Sequence, residues 1–179
     1  MPAIVNAANC TVAAQDGGVF LVTKTGGNAD TPDASAVSDQ AMAGDFVLRA
    51  RALGNPLLYL GVSANPLAGN GPTTIDRAIQ VSGASGRCYE SGLFRPPLFT
   101  PVGFVWLKRT GAVLQYLTGN DLASAIAVRT VSGVGGPLWF DSSLLRAGGA
   151  VEVRFDLPSA FAVRKRRRRL SLGLSLGDR

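Results

Sequence analysis

The apolar residues of this chain occur in short runs, and most runs are closed by Gly, Pro or Asn. Residues 45–53 (DFVLRARAL) show the pattern best, because Phe46 and Leu48 lie on one side of an extended chain and Arg49 lies on the other. This alternation is typical of a strand with one buried and one exposed face. Residues 57–64 (LLYLGVSA) are more uniformly apolar, which indicates a central strand.

The same pattern recurs along the chain and predicts roughly eleven strands. Strands so short and evenly spaced bury a core only when two antiparallel sheets stack face to face. The predicted fold class is therefore all-β: a two-sheet antiparallel, jelly-roll-like sandwich with extended N- and C-terminal segments. The predicted strands are 1–14 (an arm or entry strand), 18–24, 45–53, 57–64, 74–82, 86–90, 103–109, 112–118, 123–131, 136–141 and 149–157.

Two connections stand out between the predicted strands. Residues 25–44 are rich in Gly, Asp, Ser and Ala and predict a long loop. Pro96, Pro97 and Pro101 remove backbone donors, so the segment before Gly103 is expected to be a loop or an edge strand. The whole divides into an N-terminal arm or first strand (1–16), a sandwich (17–157) and a C-terminal docking tail (158–179).

The net charge of +6 belongs to the tail. Of the 18 Lys and Arg residues, six form the run 164–169, and the 12 that remain equal the 12 Asp and Glu residues. A neutral body does not present the broad basic face of a nucleic-acid-binding domain. The run itself could meet nucleic acid, meet an acidic protein surface or stay solvated.

A leucine alternation follows the basic run and favours docking. Its four leucines share one side of an extended chain, with Ser and Gly on the other, and such a strand is not stable alone. Strand addition to a partner's sheet, guided by the charges, is the sharper hypothesis. The predicted docking residues are Arg164, Lys165, Arg166, Arg167, Arg168, Arg169, Leu170, Leu172, Leu174 and Leu176.

The residue inventory disfavours catalysis. Histidine is absent, which removes the Ser-His-Asp and Cys-His arrangements and the commonest metal ligand. Glu152 and Asp156 would stand about 13 Å apart on one strand, too far for either mechanism of glycoside hydrolysis. Glu90 and Asp141 precede turn-like residues and are expected to cap local bends. We expect no enzyme, no cofactor and no metal.

Two kinds of targeting segment, a membrane-spanning helix and an export signal, bear on the expected cellular location. No apolar run is long enough for a membrane-spanning helix, so membrane insertion is not expected. No export signal is visible at the start, which favours synthesis in a cytoplasm. Cys10 and Cys88 could form one bridge, but two reduced, buried thiols are favoured.

Aromatic and turn residues supply the predicted contact sites. If Val105 and Leu107 point inward, Phe104 and Trp106 point outward and offer a platform for a sugar ring or a neighbouring subunit. The alternative is the reverse parity, with Trp106 in the core. The loops 65–73, 91–102 and 118–122 are expected to be exposed. They contribute Asn70, Asn120 and Asp121 as further contact residues. Asn120 and Asp121 could also hold calcium with the help of backbone carbonyls, but a plain turn is favoured over that role.

The order of these pieces resembles the concanavalin A-like lectin/glucanase sandwich, close to laminin-G-like and SPRY-like modules, in the divergent form common in phage virion proteins. The resemblance covers about residues 17–156. The matching pieces are GDFVLRARALG (44–54), YLGVSANP (59–66), TIDRAIQVSG (74–83), CYESG (88–92), GFVWLKRTGAVLQYLTGN (103–120) and PLWFDSSLLRAGGAVEV (137–153). The chain departs from these modules at Phe104, where Asp is frequent, and at Gly119-Asn120, where Asn-Gly is usual.

The resemblance implies a non-enzymatic structural component of a phage or phage-like particle, such as a head spike, decoration, fibre or baseplate element. Its partners would be other virion proteins, further copies of itself and cell-surface polysaccharide, with nucleic acid only through the basic tail. It would be made in the bacterial cytoplasm and reside in the virion. The alternatives are a purely architectural subunit, a polysaccharide-degrading enzyme completed between subunits, and nucleic-acid packaging.

Overall fold

A computed structural model describes residues 2–54, 56–66 and 71–156, except for the side chains of residues 6 and 7. The predicted docking tail, 158–179, and Asn70 lie outside the described residues. Within the described ranges, no helix is long and apolar enough to cross a membrane. The strands are β1 (Ile4–Ala8), β2 (Cys10–Gln15), β3 (Val19–Lys24), β4 (Ser35–Ser38), β5 (Phe46–Leu53), β6 (Leu57–Ser63), β7 (Arg77–Ser82), β8 (Ser85–Glu90), β9 (Leu93–Phe99), β10 (Phe104–Thr110), β11 (Val113–Gly119), β12 (Ile126–Val131), β13 (Trp139–Leu144) and β14 (Ala150–Asp156).

The strands form two antiparallel sheets of seven, which confirms the predicted all-β sandwich. Sheet A has the order β1-β4-β13-β6-β7-β8-β9, and sheet B has the order β12-β11-β10-β5-β14-β3-β2. The N-terminal segment predicted as an arm or first strand supplies an edge strand to each sheet, β1 and β2. The opposite side of the sandwich is bounded by β9 and β12, which contact each other.

The core lies between the sheets and follows from the alternation of apolar positions. In β5, Phe46 and Leu48 are buried against sheet A, whereas Arg49 faces outward, as the sequence predicts. The uniformly apolar β6 is central, between β13 and β7. The proline-containing β9 is an edge strand, also as predicted, because prolines cannot donate to a second neighbour.

Two local predictions are wrong. The predicted loop 25–44 contains the strand β4, whose small residues are buried between β1 and β13. The predicted strand 74–82 begins too early, because β7 starts only at Arg77, after a short turn at Pro72–Thr74. Ile75 packs on the outer face of sheet A, with Tyr59 and Ala78. Tertiary packing overrides local propensity at both places.

Gly61 of β6 makes this outer packing possible. A Cβ atom there would lie 2.1 Å from the backbone oxygen of Arg77 and 2.6 Å from Ile75 Cγ2. We expect Gly61→Ala to lower the free energy of unfolding by roughly 1–3 kcal/mol, because backbone cannot yield as a side chain can. The measurement is urea denaturation beside Gly44→Ala, where a Cβ meets nothing within 4 Å. Equal stability of the two variants would contradict this packing.

Candidate binding surfaces

The outer face of sheet B carries the predicted aromatic pair. Val105 and Leu107 point into the core and Trp106 points outward, so the expected parity is correct. The expected exposure of the indole is wrong, because Trp106 is only 4% exposed. Its Nε1 donates to the backbone oxygen of Gly119 at 3.2 Å, which leaves neither the ring face nor the N–H open as a platform.

Phe104 is half-buried beside Trp106 and is covered by arginine. The ring centroids of Phe104 and Trp106 are 5.8 Å apart. The guanidinium carbon of Arg49 lies 4.5 Å from the Phe104 centroid, and that of Arg51 lies at 5.4 Å. Arg51 also pairs with Glu152 at 2.7 Å. The outer face of sheet B therefore presents stacked cation–π pairs, with Phe104 as its remaining predicted contact residue.

Asn120 and Asp121 form the turn after β11. Asn120 is exposed, and its side chain lies against Gly103, where an added Cβ would meet Asn120 Oδ1 at 2.2 Å. Asp121 accepts hydrogen bonds from the Ser124 hydroxyl at 2.6 Å and from the Ser124 amide at 2.9 Å. The hydroxyl bond comes first among the causes that lower the pKa of Asp121. Asp121 thus stabilises a local turn, which was the alternative to a contact role.

An exposed apolar surface, here called the side wall, lies where β9 and β12 meet. Its members contribute five of the six large hydrophobic residues that are exposed in the described part of the chain. Three of them are exposed by 59% or more. The side wall consists of Leu93 (59%), Phe94 (42%), Leu98 (59%), Val102 (50%) and Ile126 (69%).

The side wall spans the edge at which β9 of sheet A meets β12 of sheet B. The amide of Val102 donates to the hydroxyl of Thr118 at 2.7 Å, and Thr118 pairs in register with Ile126. At the other end, Leu93 pairs with Glu90, which bonds to Arg129 of β12. Phe94 faces the outside of sheet A beside Tyr89, at a centroid distance of 6.1 Å. Exposed hydrophobic residues that gather on one side of a domain mark an interaction site more often than scattered ones do.

Glu90 joins the two sheets beneath the side wall. Its Oε1 accepts a hydrogen bond from Arg129 Nε, and its Oε2 lies 3.4 Å from Arg95 Nε. Burial raises the pKa of Glu90, but the Arg129 hydrogen bond and the charges of Arg129, Arg77 and Arg95 outweigh it and hold the pKa below its ordinary value. The expectation that Glu90 caps a local bend is therefore wrong.

Asp141 of β13 is buried on the outer face of sheet A, near the segment 71–76. Its Oδ2 accepts a hydrogen bond from the Ser63 hydroxyl at 2.7 Å. Burial, the largest cause, and the nearby Asp76 carboxylate together raise the pKa of Asp141 to about 7, although hydrogen bonds from the Ser63 hydroxyl and the Ser142 amide oppose the shift. Asp141 lies inside the strand β13, so the expectation that it caps a local bend is wrong.

The remaining chemistry-bearing residues are engaged within the fold. Cys10 and Cys88 remain separate, buried thiols, as favoured, and burial raises the pKa of Cys88 to about 12. Glu152 and Asp156 pair with arginines on the sandwich surface, at 2.7 and 2.8 Å. Among residues 2–54, 56–66 and 71–156, no cluster of three or more His, Cys, Asp or Glu is placed to hold a metal.

Sequence reasoning expected residues 91–102 to be exposed, and this range contains four of the five side-wall residues. It missed Ile126 and the ion pairs beneath the wall. The signal for the side wall was present in β9, where Leu93, Phe94 and Leu98 surround two prolines in a predicted edge. Its continuation at Ile126 has no such signal, because residues 28 or more positions apart meet only through the sheet order. The same holds for the pairing of Glu90 with Arg129.

Comparison with known proteins supports the fold. No family model and no curated protein matches the chain. The PSpry domain of TRIM65 aligns with a TM-score of 0.58 at 13% identity, over 84% of this chain and 87% of that chain. The SPRY domain of human HERC1 aligns with a TM-score of 0.56 at 11% identity, over 82% of this chain and 93% of that chain. The exoplasmic/lumenal domain of VIP36, in its Ca²⁺/Man2-bound form, aligns with a TM-score of 0.54 at 11% identity, over 86% of this chain and 81% of that chain. The chain therefore has the concanavalin A-like β-sandwich fold that SPRY and lectin domains share.

Proposed function

We propose that the chain is a non-catalytic binding module that recognises a polypeptide through the side wall. The observation that carries this proposal is the concentration of exposed hydrophobic residues on one side of an otherwise well-buried sandwich. Leaving such residues in water costs free energy, and a partner that covers them recovers it. The side wall crosses from one sheet to the other, so it offers a surface rather than a deep pocket.

The chemistry around the side wall defines the partner. Arg87 lies over the Phe94 ring at 5.9 Å, and Arg95 and Arg129 lie beneath the wall beside Glu90. Cations therefore outnumber carboxylates here. The partner that fits is a polypeptide segment with apolar residues to cover the wall and at least one acidic residue to complement the arginines. Pro96 and Pro97 disfavour strand addition along β9, so side-chain contacts carry this recognition.

A glycan is the second candidate ligand. VIP36, a structural neighbour, is a mannose- and calcium-bound protein in its solved form. The observation that favours a glycan here is Phe104, whose half-buried ring lies on an outer sheet face with arginine donors around it. The buried Trp106 weakens this candidate, because sugar platforms need an accessible ring face.

The narrower setting is a virion of a phage or phage-like particle. It is supported by the sequence resemblance and by the basic and leucine-alternating tail, which lies outside the described residues. In that setting the partner would be a neighbouring structural protein or another copy of this chain. Many weak contacts on one particle would then add to a stable attachment.

The proposal is tested by selecting 12-residue peptides from a random display library on the full chain. We expect the selected peptides to be rich in apolar residues. Leu98→Lys and Ile126→Lys should each weaken their binding by about tenfold or more, since a charge would enter a desolvated contact. Both side chains are largely exposed, so these variants should fold normally. Fluorescence anisotropy with synthetic versions of the peptides measures the loss.

Phe104→Ala serves as the matched control on the outer face of sheet B. Peptide binding should be unchanged in this variant, while a glycan array should show no ligand for the unmodified chain. The proposal would be overturned if the selected peptides bound the Leu98→Lys and Ile126→Lys variants as tightly as the unmodified chain. A glycan whose binding is lost in Phe104→Ala would replace it with the second candidate.

A further inference from the structure

Beneath the side wall lies a group of arginines that one carboxylate does not balance. Glu90 of β8 bonds to Arg129 of β12, and Arg95 Nε lies 3.4 Å from its second oxygen. Arg77 is the register partner of Glu90 in β7. Three guanidinium groups thus converge on one carboxylate between the two sheets, and this cluster carries a net charge of about +2.

No second carboxylate acts on the cluster among the described residues. The charged groups that influence Glu90 are Arg129, Arg77 and Arg95. Asp76 adjoins Arg77 in the sequence, but its carboxylate accepts a hydrogen bond from the Ala64 amide at 2.7 Å. Asp76 acts instead on the buried Asp141. The excess positive charge is therefore compensated by solvent or by a bound group.

Three donors at the cluster also lack acceptors. Tyr116 pairs in register with Arg129, and its buried hydroxyl has no hydrogen-bond partner in the described part of the chain. The same is true of Arg77 Nε and Arg95 Nε, the latter because its approach to Glu90 lacks hydrogen-bond geometry. Burial raises the pKa of Tyr116 well above its ordinary value, so the phenol keeps its proton and acts as a donor. Buried donors without acceptors cost free energy, so the cluster is an unfavourable part of the folded structure.

The cluster is accessible from the side wall. The side chain of Arg95 is 41% exposed and that of Arg129 is 27% exposed, whereas Tyr116 is buried at the inner end. Leu93, at one end of the side wall, is the register partner of Glu90. Arg95 and Arg129 can therefore be reached from solvent, whereas the Tyr116 hydroxyl is enclosed.

We infer that Arg95 and Arg129 form a carboxylate subsite that receives an Asp or Glu side chain of the polypeptide docked on the side wall. The inference rests on the proposed function and names the polar anchor of that same interface. The entering carboxylate shares these two partly exposed arginines with Glu90. Apolar contacts on the wall supply affinity, and this anchor fixes the register of the bound segment.

The test uses the peptides selected on the full chain, each compared with its own Asp→Asn or Glu→Gln version. We expect one acidic position to be enriched, and its neutralisation to weaken binding by about tenfold or more. Arg95→Gln should remove that difference, so that acidic and neutral peptides bind alike. Arg87→Gln is the matched control, because Arg87 also adjoins the side wall but lies over Phe94. In that variant the preference for the acidic peptide should remain.

Tyr116→Phe is a second control, because the Tyr116 hydroxyl is enclosed next to the cluster. Removing a hydroxyl without a partner should leave thermal stability unchanged or slightly raised, and the preference for the acidic peptide should remain. Peptides that need Leu98 and Ile126 but show no acidic preference would overturn the subsite and leave the proposed function intact. If substitution of Leu98 and Ile126 left peptide binding unchanged, the proposed function would be overturned, and the subsite with it.

Discussion

Lys24→Met is expected to lower the free energy of unfolding by about 3–5 kcal/mol. The side chain of Lys24 is fully buried, and its Nζ donates to Asp33 Oδ1 at 2.6 Å. It also donates to the backbone oxygens of Asn28, Thr31 and Leu145, at 2.7, 2.9 and 2.8 Å. Methionine fills the same space but leaves four acceptors without their donor. Urea denaturation at pH 7 measures the loss.

The pH dependence of stability separates the ion pair from simple packing. The hydrogen bond from Lys24 comes first among the causes that lower the pKa of Asp33 to about 2. The stabilisation from the ionised carboxylate is therefore present above its ordinary pKa near 4 and is lost as the pH falls toward 2. Lys24→Met should weaken this acid-induced loss, because only the hydrogen bonds from Asn28 and Thr31 to the Asp33 carboxylate remain. Lys108→Met, on the outer face of sheet B, is the control, and equal stability of the two variants would contradict the assigned role.

Asp141→Asn is expected to stabilise the protein at pH 8, where the wild-type carboxylate is buried and charged. The folded pKa of about 7 lies above the ordinary value of 3.8. Wild-type stability therefore falls as the pH rises from about 4 to about 7, by an amount on the order of 4 kcal/mol. The amide carries no charge, so the variant should show a flatter stability profile over this range. Denaturation at several pH values between 4 and 8 measures the difference.

Asp16→Asn makes the same chemical change at an exposed carboxylate. This variant should follow the wild-type pH profile within about 0.5 kcal/mol. If the pH profile of Asp141→Asn ran parallel to that of the wild type, the Asp141 carboxyl would be solvated or paired in the folded state, which would contradict the prediction. A loss of stability at pH 8 would show that the ionised form is the one that the Ser63 hydrogen bond supports.

The fold was predictable because each strand carries its own pattern. The alternation in β5 and the prolines in β9 assign an inner face and an edge from local sequence alone. The strand β4 was missed because its residues, Ser, Ala, Val and Ser, lack that pattern and are buried on both sides by neighbours. The predicted strand 74–82 started three residues too early, because Ile75 and Asp76 lie between the turn at Pro72–Thr74 and the first residue of β7, Arg77.

The candidate site was only partly predictable, for a related reason. The outward direction of Trp106 follows from the period of a strand, but its burial depends on Arg49 and Leu117 in neighbouring strands. Glu90 was expected to serve a local turn, and its true partner is 39 residues away in the other sheet. Contacts of that range are set by strand order, which period and composition do not encode.

The sequence by itself determined the all-β class, the inner faces of the long strands, the central place of β6 and the separation of a neutral body from a basic tail. Only the tertiary structure decided which exposed residues lie together and which charges face one another. The reason is physical: hydrophobic periodicity is a property of each strand, whereas the side wall and the arginine cluster arise from β9 and β12, which meet only when both sheets have formed.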